Sequence, residues 1–167
     1  MIAADRAREA AAGALAALAA EGDAMLKPWP ALSVGAPAMV GDIAGAPAYW
    51  LVPLEAEGHV IGAARVDATG RVMTIGITCR TPSRIAKCPR TVTGVTAGEA
   101  ASAAAALLAR DETASPPRFV HDGPPGREAW LVTTERGGRP ARWITVTQGG
   151  AAARPAGVRV GEDTGRE

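Results

Sequence analysis

The densest group of chemically capable side chains lies between Cys79 and Arg90, a stretch that contains four basic residues and no acidic one. The basic residues are Arg80, Arg84, Lys87 and Arg90. Cys79 and Cys88 enclose most of this stretch, and a disulfide closing a loop of this size would stabilise the fold by about 2–3 kcal/mol. Such a loop could present its charges to an acidic partner surface or to a phosphate. An ordinary linker with solvated arginines and free thiols is the alternative.

Residues suited to catalysis or metal binding are few. His59 and His121 are the only histidines, and their spacing from the two cysteines matches no paired zinc-ligand pattern, so we expect no metal and no other cofactor. The eight residues between the cysteines differ from the Cys-X-X-Cys arrangement of redox-active pairs. Glu55 and Asp67 could face each other across a hairpin. We assign no catalytic residue, and an enzyme is less favoured than a binding protein.

Two tryptophans are candidate binding residues. In the strand predicted around Trp143, alternation places this side chain opposite Ile144 and Val146, so that it would lie on an exposed sheet face. An exposed tryptophan is a typical anchor for a partner. Trp29, which lies between two prolines, is the second candidate. Packing beneath a loop or against another part of the chain is the alternative for both.

The chain contains an internal repeat. Residues 46–75 align with residues 126–155 at an offset of 80 without a gap, and the Trp-Leu-Val run at Trp50 recurs at Trp130. An alanine-rich segment before each of these regions repeats at an offset of 90. The first copy would therefore have about ten extra residues between its helix and its first strand. These matches predict a tandem duplication.

Each copy is predicted to fold as a helix followed by three antiparallel strands. The first helix would begin at the N-cap residue Asp5 and end near Ala20; the second would begin at a capping box formed by Thr96 and Glu99 and end near Arg110. The predicted strands are residues 50–54, 59–66, 71–78, 130–134, 141–147 and 151–154. Hairpin turns are expected at residues 57–58 and 137–138.

The predicted fold class is α+β, with two tandem helix-plus-meander (α-β-β-β) repeats packed with pseudo-twofold symmetry. The first unit would span residues 1–78 and the second residues 96–160. Residues 79–95 would form a linker that holds both cysteines, and residues 161–167 a disordered tail.

Two runs resemble a known family. Residues 96–100 (Thr-Ala-Gly-Glu-Ala) open a helix, and residues 66–72 (Val-Asp-Ala-Thr-Gly-Arg-Val) close a meander, as in the PepSY-like modules of peptidase propeptides. The second copy departs from this pattern, with Thr147 in place of Asp67 and Ala152 in place of Val72. The plan is also similar to small bacterial toxin-immunity proteins. Both resemblances imply a module that binds another protein or restrains a peptidase or toxin, without catalytic residues.

Composition narrows the function classes. With 47% hydrophobic residues, 21% charged residues and a net charge of +1, the chain does not have the basic excess typical of nucleic-acid binders. It contains no apolar run long enough to span a membrane. The first residues do not form a secretory signal, so we expect a cytoplasmic location unless a leader has been removed.

The expected function is non-catalytic protein binding. The contact surface would combine Trp29 and Trp143 with the four basic residues between the cysteines. The alternative is a small-ligand protein or minor enzyme with a pocket between helices and sheet, near Glu55, His59 and Asp67. Open sheet edges could also pair two copies of the chain as a homodimer.

Overall fold

The computed structural model describes residues 1–121 and 127–157, which contain two α-helices, ten strands and one short 3₁₀ helix. The predicted α+β class is confirmed. Contacts divide the chain into a first unit, residues 1–40 and 47–94, and a second unit that comprises residues 41–46 and those from 95 onward. Of the predicted linker, residues 79–95, residues 79–94 belong to the first unit and Val95 to the second. The predicted tail, residues 161–167, and residues 158–160 lie outside the described residues.

The first unit contains one long helix and an antiparallel sheet. Its elements are α1 (Ala4–Ala20), β1 (Ser33–Val34), β2 (Ala38–Gly41), β3 (Pro47–Ala56), β4 (His59–Val66), β5 (Val72–Ile77) and a 3₁₀ helix (Pro82–Lys87). Strand β3 pairs with β1 and β4, and β4 pairs with β5, all antiparallel. The β3–β4 turn has positive φ at Glu57 and Gly58, as expected for a two-residue hairpin.

Alanines hold α1 close to the sheet. Ala7 and Ala11, one turn apart, are fully buried against Val52, Ala64 and Val66. Their small side chains allow the helix backbone to approach the strands. A second cluster surrounds the end of α1 and contains Leu15, Leu26, Trp29, Leu54, Ala56, Ile61 and Cys88. We call this second group the disulfide cluster.

The start of α1 differs from the prediction. Asp5 is not the N-cap, because the helix begins at Ala4 and follows Ala3, which makes no side-chain capping bond. Asp5 lies instead within the first turn, where a carboxylate interacts favourably with the positive end of the helix dipole.

The second unit has a shorter helix and five strands. Its elements are α2 (Ala97–Ala105), β6 (Glu112–Ala114), β7 (Arg118–His121), β8 (Glu128–Arg136), β9 (Arg139–Thr147) and β10 (Gly150–Pro155). Strand β8 pairs antiparallel with β6, β7 and β9, and β9 pairs with β10. Gly41, the last residue of β2, already belongs to the second unit, and it pairs in parallel with Val120 of β7.

The capping box at the start of α2 is confirmed. The Glu99 amide donates to Thr96 Oγ1 at 3.2 Å, and the Thr96 amide donates to Glu99 Oε2 at 2.7 Å. The helix ends at Ala105, earlier than the predicted Arg110. Beyond the helix, the Ala109 amide donates to the carboxylate of Glu112 at 3.1 Å.

Trp50 and Trp130 make similar hydrogen bonds in their respective units. Trp50 Nε1 donates to the Ile2 carbonyl at 3.0 Å, and Trp130 Nε1 donates to the Val95 carbonyl at 2.8 Å. Each indole therefore fastens the chain just before a helix to the first long strand after it. The two carbonyls are 93 residues apart in the chain.

The first unit carries a longer connection between helix and sheet. Val52 follows the buried Ala11 by 41 residues, whereas Val132 follows the buried Ala104 by 28. The interval in the first unit is thus thirteen residues longer than the interval in the second. These residues allow the first unit to build the segment between α1 and β1.

Candidate functional site

A groove lies between α1 and the segment that follows it, with a volume of about 600 Å³. The wall formed by α1 consists mainly of small side chains, including Ala12, Ala16 and Ala19. Larger apolar side chains, among them Leu26 and Trp29, form the opposite wall. Its other lining residues are Arg8, Leu15, Gly22, Asp23, Lys27, Pro30, Leu32, Ser33 and Val34. We call it the α1 groove.

Local turn chemistry builds both ends of the α1 groove. Gly22, at a φ of 71°, reverses the chain after the helix, a conformation that glycine adopts without strain. Asp23 then accepts a hydrogen bond from the Met25 amide at 2.8 Å. We call residues 23–34, which run back along α1 from this turn, the return segment. At the other end, Arg8 Nε donates to the Val34 carbonyl at 3.3 Å. The segment is therefore fastened to α1 at both ends.

Trp29 is part of the core rather than an exposed anchor. Only 6% of the residue is accessible, and it belongs to the disulfide cluster together with Leu15 and Cys88. Its indole N–H has no hydrogen-bond partner among the described residues. The expectation that Trp29 would form an exposed contact is corrected, because the return segment folds its ring inward. The alternative of packing beneath a loop applies to this residue.

The structure joins Cys79 and Cys88 by a disulfide, with Cα atoms 6.1 Å apart. The loop is also bonded to β4, since the Val60 amide donates to the Pro89 carbonyl at 2.7 Å. Ile85 and Cys88 pack towards the disulfide cluster. The four basic side chains are all exposed: Arg80, Arg84, Lys87 and Arg90. We call residues 79–90 the basic segment.

The positive charge of the basic segment is uncompensated locally. None of its four basic side chains makes an ion pair or hydrogen bond within the part of the chain that the structure describes. Along the chain, no acidic residue occurs between Asp67 and Glu99. The segment therefore presents four cations to solvent on a backbone that is held at both ends.

Trp143 lies on the predicted face of the second unit but is only partly accessible. Ile144 and Val146 are buried against α2, so alternation places Trp143 on the opposite face of β9. There it is half-buried, and the guanidinium carbon of Arg154 lies 5.4 Å from its ring centroid. Trp143 is thus covered in part by an arginine, in a cation–π contact. It belongs to the second unit, whereas Trp29 and the basic segment belong to the first.

The pocket expected near Glu55, His59 and Asp67 is not where the α1 groove lies, and none of the three lines it. Asp67 instead closes the β4–β5 turn, where hydrogen bonds from Thr69 and then from the Arg71 amide lower its pKa to about 2. A ring nitrogen of His59 lies 3.1 Å from the Glu57 carbonyl, on the exposed hairpin. Asp67 and His59 thus make hydrogen bonds within turns, and the pocket expected near them and Glu55 stays a prediction.

A buried carboxylate in the second unit was not foreseen from the sequence. The Glu112 side chain is inaccessible and receives hydrogen bonds from Arg142, with Nε at 2.9 Å and Nη2 closer still, and from Arg136 at 3.5 Å. The Arg142 hydrogen bonds lower the pKa of Glu112. Arg142 also donates to the Leu107 carbonyl at 2.7 Å. The cluster therefore fastens the end of α2 to β9, and its carboxylate is too well paired to act as an acid or base.

The described residues contain no group of three or more side chains arranged to hold a metal ion. Residues 1–121 and 127–157 also contain no helix that could span a membrane. No protein-family model, curated protein or solved structure matches the chain.

Proposed function

We propose that the chain is a non-catalytic protein-binding module and that the basic segment contacts an acidic face of its partner. The observation that carries this proposal is the set of four exposed cations without local counter-charges, on a segment held by the Cys79–Cys88 disulfide. A peptidase or a toxin is the kind of partner that the sequence resemblances imply.

The way the basic segment is held favours a role in binding. A loop that is already ordered loses less conformational entropy when a partner docks than a free loop does. Exposed like charges accelerate association with an acidic surface and disfavour neutral or basic partners. The apolar side chains of the segment, Ile85 and Cys88, face the disulfide cluster, so the cations contribute nothing to the core.

We also propose that the two units arose by duplication of a PepSY-like α-β-β-β module. The matching indole hydrogen bonds of Trp50 and Trp130 support this proposal, as do the paired buried alanines one turn apart in each helix. The pseudo-twofold packing and the homodimer through sheet edges stay predictions.

The compartment is likewise a proposal. Disulfides persist mainly in oxidising compartments, so the Cys79–Cys88 bond supports the exported alternative over the cytoplasmic location expected from the first residues.

The test compares two variants of equal charge change. In Arg80→Glu/Arg84→Glu/Lys87→Glu the basic segment is reversed, and in Arg110→Glu/Arg127→Glu/Arg139→Glu three exposed arginines of the second unit are reversed. Each tagged protein is incubated with extract and culture medium of the source organism, and captured proteins are quantified by mass spectrometry.

We expect a stoichiometric partner bound by the unmodified protein and by the second-unit variant, and lost by the basic-segment variant. Equal retention by both variants would show that the basic segment is not the contact. Absence of any stoichiometric partner would contradict the binding function itself.

The α1 groove favours a second candidate function, which is binding of a small ligand. The groove lies at a different place from the pocket expected from the sequence. Its shape and chemistry allow the class of ligand to be stated.

A further inference from the structure

We propose that the α1 groove binds a long-chain carboxylate, with its alkyl chain along α1 and its carboxylate beside Arg8. The site uses none of the residues of the basic segment, so this inference stands independently of the proposed protein partner.

The shape and lining of the groove favour an elongated apolar occupant. Its lining follows α1 from Arg8 to Ala19, a length of about 16 Å at the helical rise. Most of the side chains along this length are apolar, and the charged ones lie at the two ends. An extended alkyl chain with one charged end matches this arrangement.

The backbone of the walls argues against a peptide. The Asp23 amide donates to the Leu18 carbonyl of α1 at 3.0 Å, and the amides of Leu26 and Trp29 donate to carbonyls within the return segment at 3.1 and 2.8 Å. An extended peptide lying here would bury amide groups with few partners, which is costly. An alkyl chain carries no polar group along its length. The alanine-lined wall therefore fits hydrocarbon better than backbone.

The charges around the groove place the head group. Arg8 lines one end, and its Nε–H is used by the Val34 carbonyl while its terminal nitrogens make no ion pair within the described residues. Asp5, three residues earlier, makes no ion pair with it. At the other end Lys27 also makes no ion pair within the described residues, but it shares that end with Asp23, the one acidic residue of the lining. The Arg8 end therefore has a cation and no acidic lining residue, and a carboxylate there would accept charge-assisted hydrogen bonds.

The first measurement is calorimetric titration of the full chain with laurate, myristate and palmitate, each below its micelle concentration, and with the matching alcohols. We expect one saturable site whose affinity rises about fourfold per added methylene until the groove is filled. The carboxylates should bind several-fold more tightly than the alcohols. No saturable binding of any of these probes would overturn the proposal.

Variants then locate the site. Ala16→Leu puts a larger side chain on the groove wall, whereas Ala17→Leu makes the same change at an exposed neighbour outside it. We expect the first to weaken myristate binding at least tenfold and the second to leave it unchanged, with both thermal midpoints retained. Ala19→Leu is a second filling variant should the first be unstable.

The head-group position is tested by Arg8→Ala, with Arg6→Ala on the same helix as control. Arg8→Ala should lower the affinity for myristate several-fold and leave that for the alcohol unchanged. If both filling variants bind myristate as tightly as the unmodified protein does, the groove is not the site. If Arg8→Ala still prefers the carboxylate to the matching alcohol by the same factor, the head group does not lie beside Arg8. The charge-reversed basic segment should bind myristate normally, which separates this proposal from the proposed protein partner.

Discussion

Removal of the Cys79–Cys88 crosslink is expected to lower the stability of the first unit by an amount that follows from the loop it closes. The cysteines are nine positions apart, and a closed loop of this size restricts the unfolded chain by about 2.7 kcal/mol at 25 °C. For a chain of this length, this corresponds to a fall of the thermal midpoint by about 5–10 °C. The folded first unit should otherwise persist, because β4 and the disulfide cluster hold the same region.

The assay is thermal unfolding by circular dichroism, with and without a phosphine reductant. On reduction, the thermal midpoint of the unmodified protein should fall by this full amount. The variant Cys79→Ala/Cys88→Ala should unfold at the lower temperature in either buffer. Cys88 is buried, so its replacement also removes core contacts, and Cys88→Ala compared with the unmodified protein, both reduced, isolates that part. A midpoint that does not respond to reductant in the unmodified protein would refute the crosslink and its assigned contribution.

Two further predictions concern the second unit. Because Arg142 lowers the pKa of Glu112, the stabilisation from this carboxylate is complete above the pKa of the unfolded carboxyl and is lost as pH falls through the lower folded pKa. Glu112→Gln should therefore show a smaller fall in urea midpoint on acidification than the unmodified protein, and an equal fall would contradict the pairing. Thr96→Ala should cost about 1 kcal/mol in urea unfolding by removing the cap of α2, and Ser102→Ala on the same helix serves as its control. An equal loss in both variants would indicate a general effect on the helix.

The disulfide cluster connects the two proposed binding features of the first unit. Cys88 of the basic segment and Trp29 of the α1 groove are members of this one group of buried side chains. The same buried cluster therefore holds the basic segment through Cys88 and supports the wall of the α1 groove through Trp29.

Local chemistry was readable from the sequence alone. The hairpin turns at Gly58 and Gly138, the capping box at Thr96 and the extent of β4 depend on residues close together in the chain, so their patterns predicted them. The alternation around Trp143 also gave the correct face. Strands β1, β2, β6 and β7 were missed, because they are two to four residues long and carry too little periodicity to be recognised.

The residues that form the candidate sites were decided by tertiary structure. Trp29 has the same sequence context whether its ring points outward or inward, and only its packing against Leu15 and Cys88 settles which. Glu112 and Arg142 are thirty residues apart, and strand pairing brings them together. The α1 groove depends on a return segment whose path is set by contacts at both of its ends. The sequence by itself determined the turns, caps and strand faces, since these depend on neighbours in the chain. Only the folded chain brings together side chains that are distant in sequence, and on such contacts depend the groove, the buried carboxylate and the burial of Trp29.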